Sequence, residues 1–212
     1  MENIVRSEQE LVRRGKLSAI RDFCNPYPDK YEVTNSISEA RLLDDGIENV
    51  SIAGRIVFLR KMGKLSFIRI RDIEDSIQIS FQMDLLGEDN YKFFKSNIDV
   101  GDFIGVCGEM VTTQTGEKTL RAHSFTFLGK ALRPLPEKFH GLTDQEMKYR
   151  SRYVDLIMNE DSRERFMFRS KLIWEIRKYL NGKGYTEIET PILNNKASGA
   201  MARPFVTHHN AL

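Results

Sequence analysis

Cysteine is scarce in this chain. Cys24 and Cys107 are its only two, far apart and outside any CxxC or Cys/His pattern. That spacing excludes a disulfide-stapled scaffold, gives no signature of structural zinc and suits a reducing compartment. Long apolar runs are missing too, and none approaches the roughly 20 residues that a membrane helix needs. The stretch from Met1 to Lys16 has no apolar core followed by small residues, so it does not read as a secretory signal. A cytoplasmic location is expected. A surplus of one charge is also absent: 32 Lys and Arg stand against 30 Asp and Glu, a net charge of +2. A protein that grips duplex DNA through phosphates alone is far more basic than this. Any affinity for nucleic acid therefore depends on where individual arginines and lysines fall, or on base stacking.

Proline is sparse enough, six in 212 residues, for its positions to divide the chain. Ser7 to Phe23 has helical spacing, with Leu11, Val12, Ile20 and Phe23 on roughly one side, and Asn25-Pro26-Tyr27-Pro28 stops it. A shorter helix is expected over Ser38 to Leu43, ended by Asp45-Gly46. Strand patterns follow. Val50 to Leu59 alternates loosely around Gly54, a candidate bulge or tight bend. Leu65 to Arg71 alternates cleanly, and Ser76 to Gln82 sets Ile77, Ile79 and Phe81 against Gln78, Ser80 and Gln82. A helix over Glu88 to Ser96 precedes two more strands, Asp102 to Val111 and Lys118 to Leu128, joined by Thr-Gln-Thr-Gly. The order β-β-β-α-β-β is that of an OB-fold barrel, which commonly binds oligonucleotides on the face of its second and third strands. Periodicity alone also admits another small barrel.

Alternate residues of a strand point to opposite faces. If the isoleucines of the second strand fill the core, Phe67 lies outside between Arg69 and its neighbours, with Gln78 on the same outer face of the third strand. An exposed ring among cations and an amide can stack a base, hold its phosphate and read its edge. A scattered surface phenylalanine, or one covered by another domain, fits the alternation equally.

Ala131 to Pro136 carries the second pair of prolines and reads as a linker. Beyond it, Thr143 to Glu146 has the form of a capping box that opens a helix running to Met158. A second helix runs from about Asp161-Ser162 to Asn181-Gly182, with Phe166, Ile173, Ile176 and Leu180 at helical spacing. Tyr185 to Thr190 reads as a strand stopped by Pro191. His208 and His209 are adjacent and on a strand would point apart, Lys183-Gly184 lacks the spacing of a phosphate loop, and Trp174 reads as packing or interface. Glu187 and Glu189 form no acid–base pair. No metal site is expected in this chain.

Longer strings carry a resemblance. Lys138-Phe139-His140-Gly141-Leu142, Asp144, Tyr149 to Leu156 and Ala202 to Leu212 resemble the class II lysyl-tRNA synthetases. Ala53-Gly54-Arg55, Met62-Gly63-Lys64 and Ser66-Phe67 fit the same pattern, and Tyr185 to Pro191 is similar to class II motif 1. The resemblance implies an α+β chain in four parts: an N-terminal helical extension (1–46), an anticodon-binding OB-fold (47–130), a linker (131–137) and the motif 1 region of a class II catalytic domain (138–212). It implies that Phe67 stacks an anticodon base of lysine tRNA, that Gln78 reads it, and that Arg55 and Glu117 contact the same RNA. Gly199 and Ala200 fall in the loop that meets the amino acid substrate, where Ser198 replaces one glycine. The parent reaction uses ATP and magnesium to attach lysine to its tRNA in a homodimer joined through motif 1. Motifs 2 and 3, which act on ATP, lie in the family beyond the position of Leu212. This length is therefore expected to bind RNA and to show no lysine-dependent ATP–pyrophosphate exchange. The residue pattern also leaves open an RNA-binding fragment without catalysis, or a synthetase for aspartate or asparagine.

Overall fold

The computed structural model describes residues 6–136, 142, 144–192 and 207–208. The chain forms two compact units, Met1–Gly141 and Leu142–Leu212.

The first unit begins with α1 (Glu8–Phe23), where the Ser7 hydroxyl accepts from the Glu10 amide, and α2 (Ile37–Leu42), closed at its start by a Ser36–Glu39 capping box. Five strands follow: β1 (Val50–Lys61), β2 (Leu65–Arg71), β3 (Ser76–Gln82), β4 (Phe103–Thr112) and β5 (Lys118–Gly129). They close in the order β1-β2-β3-β5-β4, with every neighbouring pair antiparallel except the parallel β3–β5 seam. This is the OB-fold barrel that the strand order predicts, and closure leaves no long open edge. Between β3 and β4 lie a one-turn helix, α3 (Met83–Leu86), and α4 (Glu88–Asn97).

The alternation of β2 and β3 is realised in the core: Ile68, Ile70, Ile77, Ile79 and Phe81 are buried, and they meet Ile52, Ile56, Ile104, Val106, Met110, Leu120 and Phe127 from the other strands. Phe81 lies 4.4 Å from the Phe94 ring of α4, which joins the barrel filling to that helix.

Three expectations need correction here. In α1 the buried residues are Glu10, Leu17 and Ile20, whereas Leu11, Val12 and Phe23 are each more than half exposed. The helix presents a different stripe, on which Leu17 and Ile20 pack inward and Glu10 is covered by its ion pairs with Arg6 and Arg14. The bulge of β1 falls between Ile56 and Phe58, not at Gly54. Gly54 is instead a close approach, since a Cβ there would stand 2.8 Å from the Arg71 carbonyl oxygen. The short α3, which starts directly at the end of β3, was not foreseen.

The second unit contains α5 (Gln145–Arg150), α6 (Arg152–Met158) and α7 (Glu160–Gly182). The single helix expected up to Met158 is broken at Ser151, whose φ of −120° and ψ of 54° leave the helical region. Its N-cap is Asp144, which accepts from the Met147 amide. Thr143, the other half of the expected capping box, lies outside the described residues. No residue of α7 is buried: Phe168, Trp174, Ile176 and Tyr179 are each at least half exposed. Tyr185–Thr190 has no strand assignment. A strand needs a hydrogen-bonded neighbour, and among the described residues none is supplied.

Candidate nucleic-acid interface

Directly opposed residues of antiparallel strands project from the same face. Phe67 pairs with Ser80 and with Arg60, and Arg69 pairs with Gln78. The outer surface of β1, β2 and β3 therefore brings Arg60, Phe67 and Gln78 together. They line a groove of about 680 Å³ with Leu65, Ser80 and Gln82, walled on the far side by Val111 to Thr115 and Arg121. Two arginines and no carboxylate stand among its lining residues. It is open, with the Phe67 ring as its aromatic element.

The amide of Gln78 is held in place. Its Nε2 donates to the Thr119 hydroxyl at 3.0 Å, and that buried hydroxyl donates to the Glu117 carbonyl at 3.1 Å. The chain of bonds fixes the side chain and leaves its carbonyl oxygen and second N–H to meet a ligand. Arg121 is steadied by Glu109 at 3.3 Å. Arg60 is exposed, and among the described residues it has no carboxylate partner. Its charge is free for an incoming anion.

The other two residues expected at this surface lie apart from the groove lining. Glu117 pairs with Arg69 at 2.7 Å, just before β5. Arg55 is opposite Arg71 at the far end of β2, with its guanidinium 4.1 Å from the Phe103 ring centroid and donating to the Gly101 carbonyl at 2.9 Å. Burial lowers the pKa of Arg55 and the charge of Asp102 raises it; the first is larger. Gly199 and Ala200 lie outside the described residues.

Sequence reading missed Arg60 for a definite reason. Upstream of the bulge the outward residues of β1 are odd-numbered, as Arg55 is, and strict alternation would turn Arg60 into the barrel. The extra residue at Val57 reverses the phase, so that Leu59 faces Ile68 of the core and Arg60 faces outward beside Phe67. The signal available in sequence was the charge itself, since Leu59-Arg60 reads as inside–outside only after a phase shift.

A closed β1-β2-β3-β5-β4 barrel with an aromatic and an amide on its β2–β3 face, and Arg60 of β1 beside them, has the form of an oligonucleotide-binding OB-fold. Residues 50–128 match the family model for the OB-fold nucleic acid binding domain, and residues 144–212 match that for class II tRNA synthetases of the aspartate, lysine and asparagine group. The chain is 49% identical over 215 aligned residues to the lysine–tRNA ligase of Streptococcus pneumoniae, and 47% identical to those of Enterococcus faecalis and Streptococcus sanguinis. Each match takes in 97% of this chain and 43% of the relative. Over nearly its whole length the chain is similar to class II lysine–tRNA ligases, and it spans a little under half the length of the curated relatives it matches.

Proposed function

We propose that the barrel holds the anticodon of lysine tRNA, within an enzyme that attaches lysine to that tRNA. The observation that carries this reading is the groove: a ring, an oriented amide and two arginines, with no acidic residue among them. One base stacks on Phe67, Gln78 reads its edge, and Arg60 and Arg121 meet the phosphates on either side. Glu117 acts through Arg69, which it holds, and can accept from a base amino or imino group. Arg55 takes part at the far end of the same face. The 47–49% identity to proteins named as lysine–tRNA ligases supports lysine over aspartate or asparagine.

In the complete reaction, the lysine carboxylate attacks the α-phosphate of ATP, giving lysyl-adenylate and pyrophosphate. A ribose hydroxyl at the tRNA 3′ end then takes the lysyl group and releases AMP. Magnesium would neutralise charge on the ATP phosphates. Among the described residues no group of three or more His, Cys, Asp or Glu is placed to hold a metal ion, and no step of the ATP chemistry is assigned to them. Gly199 and Ala200 remain the proposed contacts to lysine. We assign the protein to the cytoplasm as a homodimer joined through the motif 1 region. Among the described residues no helix is long and apolar enough to cross a membrane.

Filter binding with a hairpin carrying the lysine anticodon tests the groove. Phe67→Ala should weaken binding by about 1–3 kcal/mol, the usual worth of one stacked base. Its circular-dichroism spectrum should stay native, because the side chain lies outside the core. Unchanged affinity in a folded variant would remove Phe67 from the interface.

A further inference from the structure

The outer face of the barrel carries more than the groove. Its registers lay out three cross-strand rows: Arg60, Phe67 and Ser80; then Phe58, Arg69 and Gln78; then Phe103, Arg55 and Arg71. Successive rows are two β2 residues apart, roughly 6.7 Å at about 3.3 Å per residue, a step that an extended single-stranded backbone can follow with one nucleotide per row. Each row holds one aromatic ring and at least one arginine. Together they hold four arginines, of which one, Arg69, is paired with the flanking Glu117, and the surplus of positive charge suits a polyanion better than an ordinary apolar protein contact.

The three rings are not in the same condition. Phe67 lines the groove. Phe103 is already covered by the Arg55 guanidinium at 4.1 Å. Phe58 lies outside the groove lining and is 46% exposed, and among the described residues no ring or cation covers it. It is also turned outward by a specific device. Ile52, Gly54 and Ile56 point into the barrel, and unbroken alternation would send Phe58 after them. The bulge between Ile56 and Phe58 reverses the phase and sets the ring opposite Arg69 on the outer surface. Bulges that re-aim a side chain are found beside functional surfaces. Here the result is a phenylalanine denied burial in the core and placed opposite Arg69, with Gln78 one strand further along the same row.

We propose that Phe58 is a second base-stacking platform, taking a nucleotide adjacent in the RNA to the one held at Phe67 and Gln78. The proposal rests on the groove being an RNA site. A base covering Phe58 removes its ring from water, and Arg69, directly across the ladder, stands beside the phosphate that links the two nucleotides. The contact is sequence-tolerant, because every base has a face to stack. It therefore adds affinity and fixes the path of the RNA without adding to base choice.

The test uses the whole chain and a hairpin whose seven-nucleotide loop carries the lysine anticodon, read by fluorescence anisotropy. Phe58→Ala should weaken binding about 10-fold, within the range for loss of one base stack, while Phe58→Trp keeps or improves it. The loop is then scanned with one abasic nucleotide at a time. One abasic position next to the base held by Phe67 should reproduce the Phe58→Ala loss, and combining the two should cost no more than either alone. If Phe67→Ala weakens binding while Phe58→Ala does not, the second platform is wrong and the groove reading stands. If neither matters, both fall. A Phe58→Ala loss that adds fully to every abasic position would make the effect one on the fold and overturn the platform.

Discussion

Lys130 is the residue whose surroundings are most demanding. Its side chain is fully buried, and the ammonium donates to the Asn97 carbonyl at 2.6 Å and to Asp99 and Asp102 at 2.7 Å each. Lys16 of α1 reaches the other oxygen of Asp99 at 2.6 Å, and Arg13 donates to the Val100 and Ala131 carbonyls. The two carboxyls respond in opposite directions. Burial dominates at Asp102 and pushes its pKa up against the pull of Lys130. Burial also pushes Asp99 upward, but hydrogen bonds from Lys130 and Lys16 outweigh it and hold it low. Removing one member of such a cluster leaves a charge buried without its partner, which costs about 3–5 kcal/mol. Lys130→Met is therefore expected to lower barrel stability by that order in urea unfolding, and adding Asp102→Asn should recover part of the loss. A Lys130→Met barrel as stable as the parent would show that the cluster contributes nothing net.

Among the elements, the junction of α6 and α7 depends on one carboxylate. Asp155 is buried and accepts from Arg152 at 3.0 Å, Asn159 Nδ2 at 2.6 Å and the Ser162 hydroxyl at 3.1 Å. Burial raises its pKa, but the three donors outweigh burial and hold it below the ordinary carboxylate value. A depressed folded pKa means that the stabilisation is complete above the unfolded value of about 3.9 and is lost as pH falls through the folded value. The helices should thus loosen in acid below about pH 4. Trp174, the only tryptophan, lies in α7 and reports on this by fluorescence. Asp155→Asn should be less stable at pH 7 and lose this acid-sensitive component. An acid transition of the same size in both forms would place the titrating group elsewhere.

Across the whole molecule, the two units differ in what they bury. The barrel holds 0% exposed residues on every strand, including Ile52, Ile68, Ile79, Ile104 and Leu120, and its ladders close on themselves. Helix α7 buries none of its residues, and Ile173, Ile176 and Leu180 remain substantially wet. Burial of a large apolar side chain is worth about 1.5–3 kcal/mol, set against about 1–2 kcal/mol of backbone ordering per residue. Hydrogen exchange on the 212-residue chain should find the amides of β1 to β5 slowest and those of α7 faster by orders of magnitude. Equal protection of both in a monomer would contradict this. Protection of α7 that grows with protein concentration would instead mark self-association through its apolar face.

The sequence alone determined the succession of strands and helices in the barrel domain, the inward isoleucines of β2 and β3 and the outward positions of Phe67 and Gln78, because period-two alternation and turn residues are local properties; the closure through a parallel β3–β5 seam was a tertiary decision. It also sufficed to show the likeness to class II lysyl-tRNA synthetases, through strings such as Tyr149 to Leu156. Tertiary structure decided the rest. The single extra residue at Val57 reverses the phase of β1 and brings Arg60 and Phe58 to the outer face, and no local pattern declares such a shift. Pairing decided that Glu117 meets Arg69 and that Arg55 meets Phe103. Packing of Leu17 and Ile20 decided which stripe of α1 is buried, against the apolar count. Tyr185 to Thr190 shows the same limit from the other side: its residues favour an extended chain, but a strand exists only where a second strand completes its hydrogen bonds.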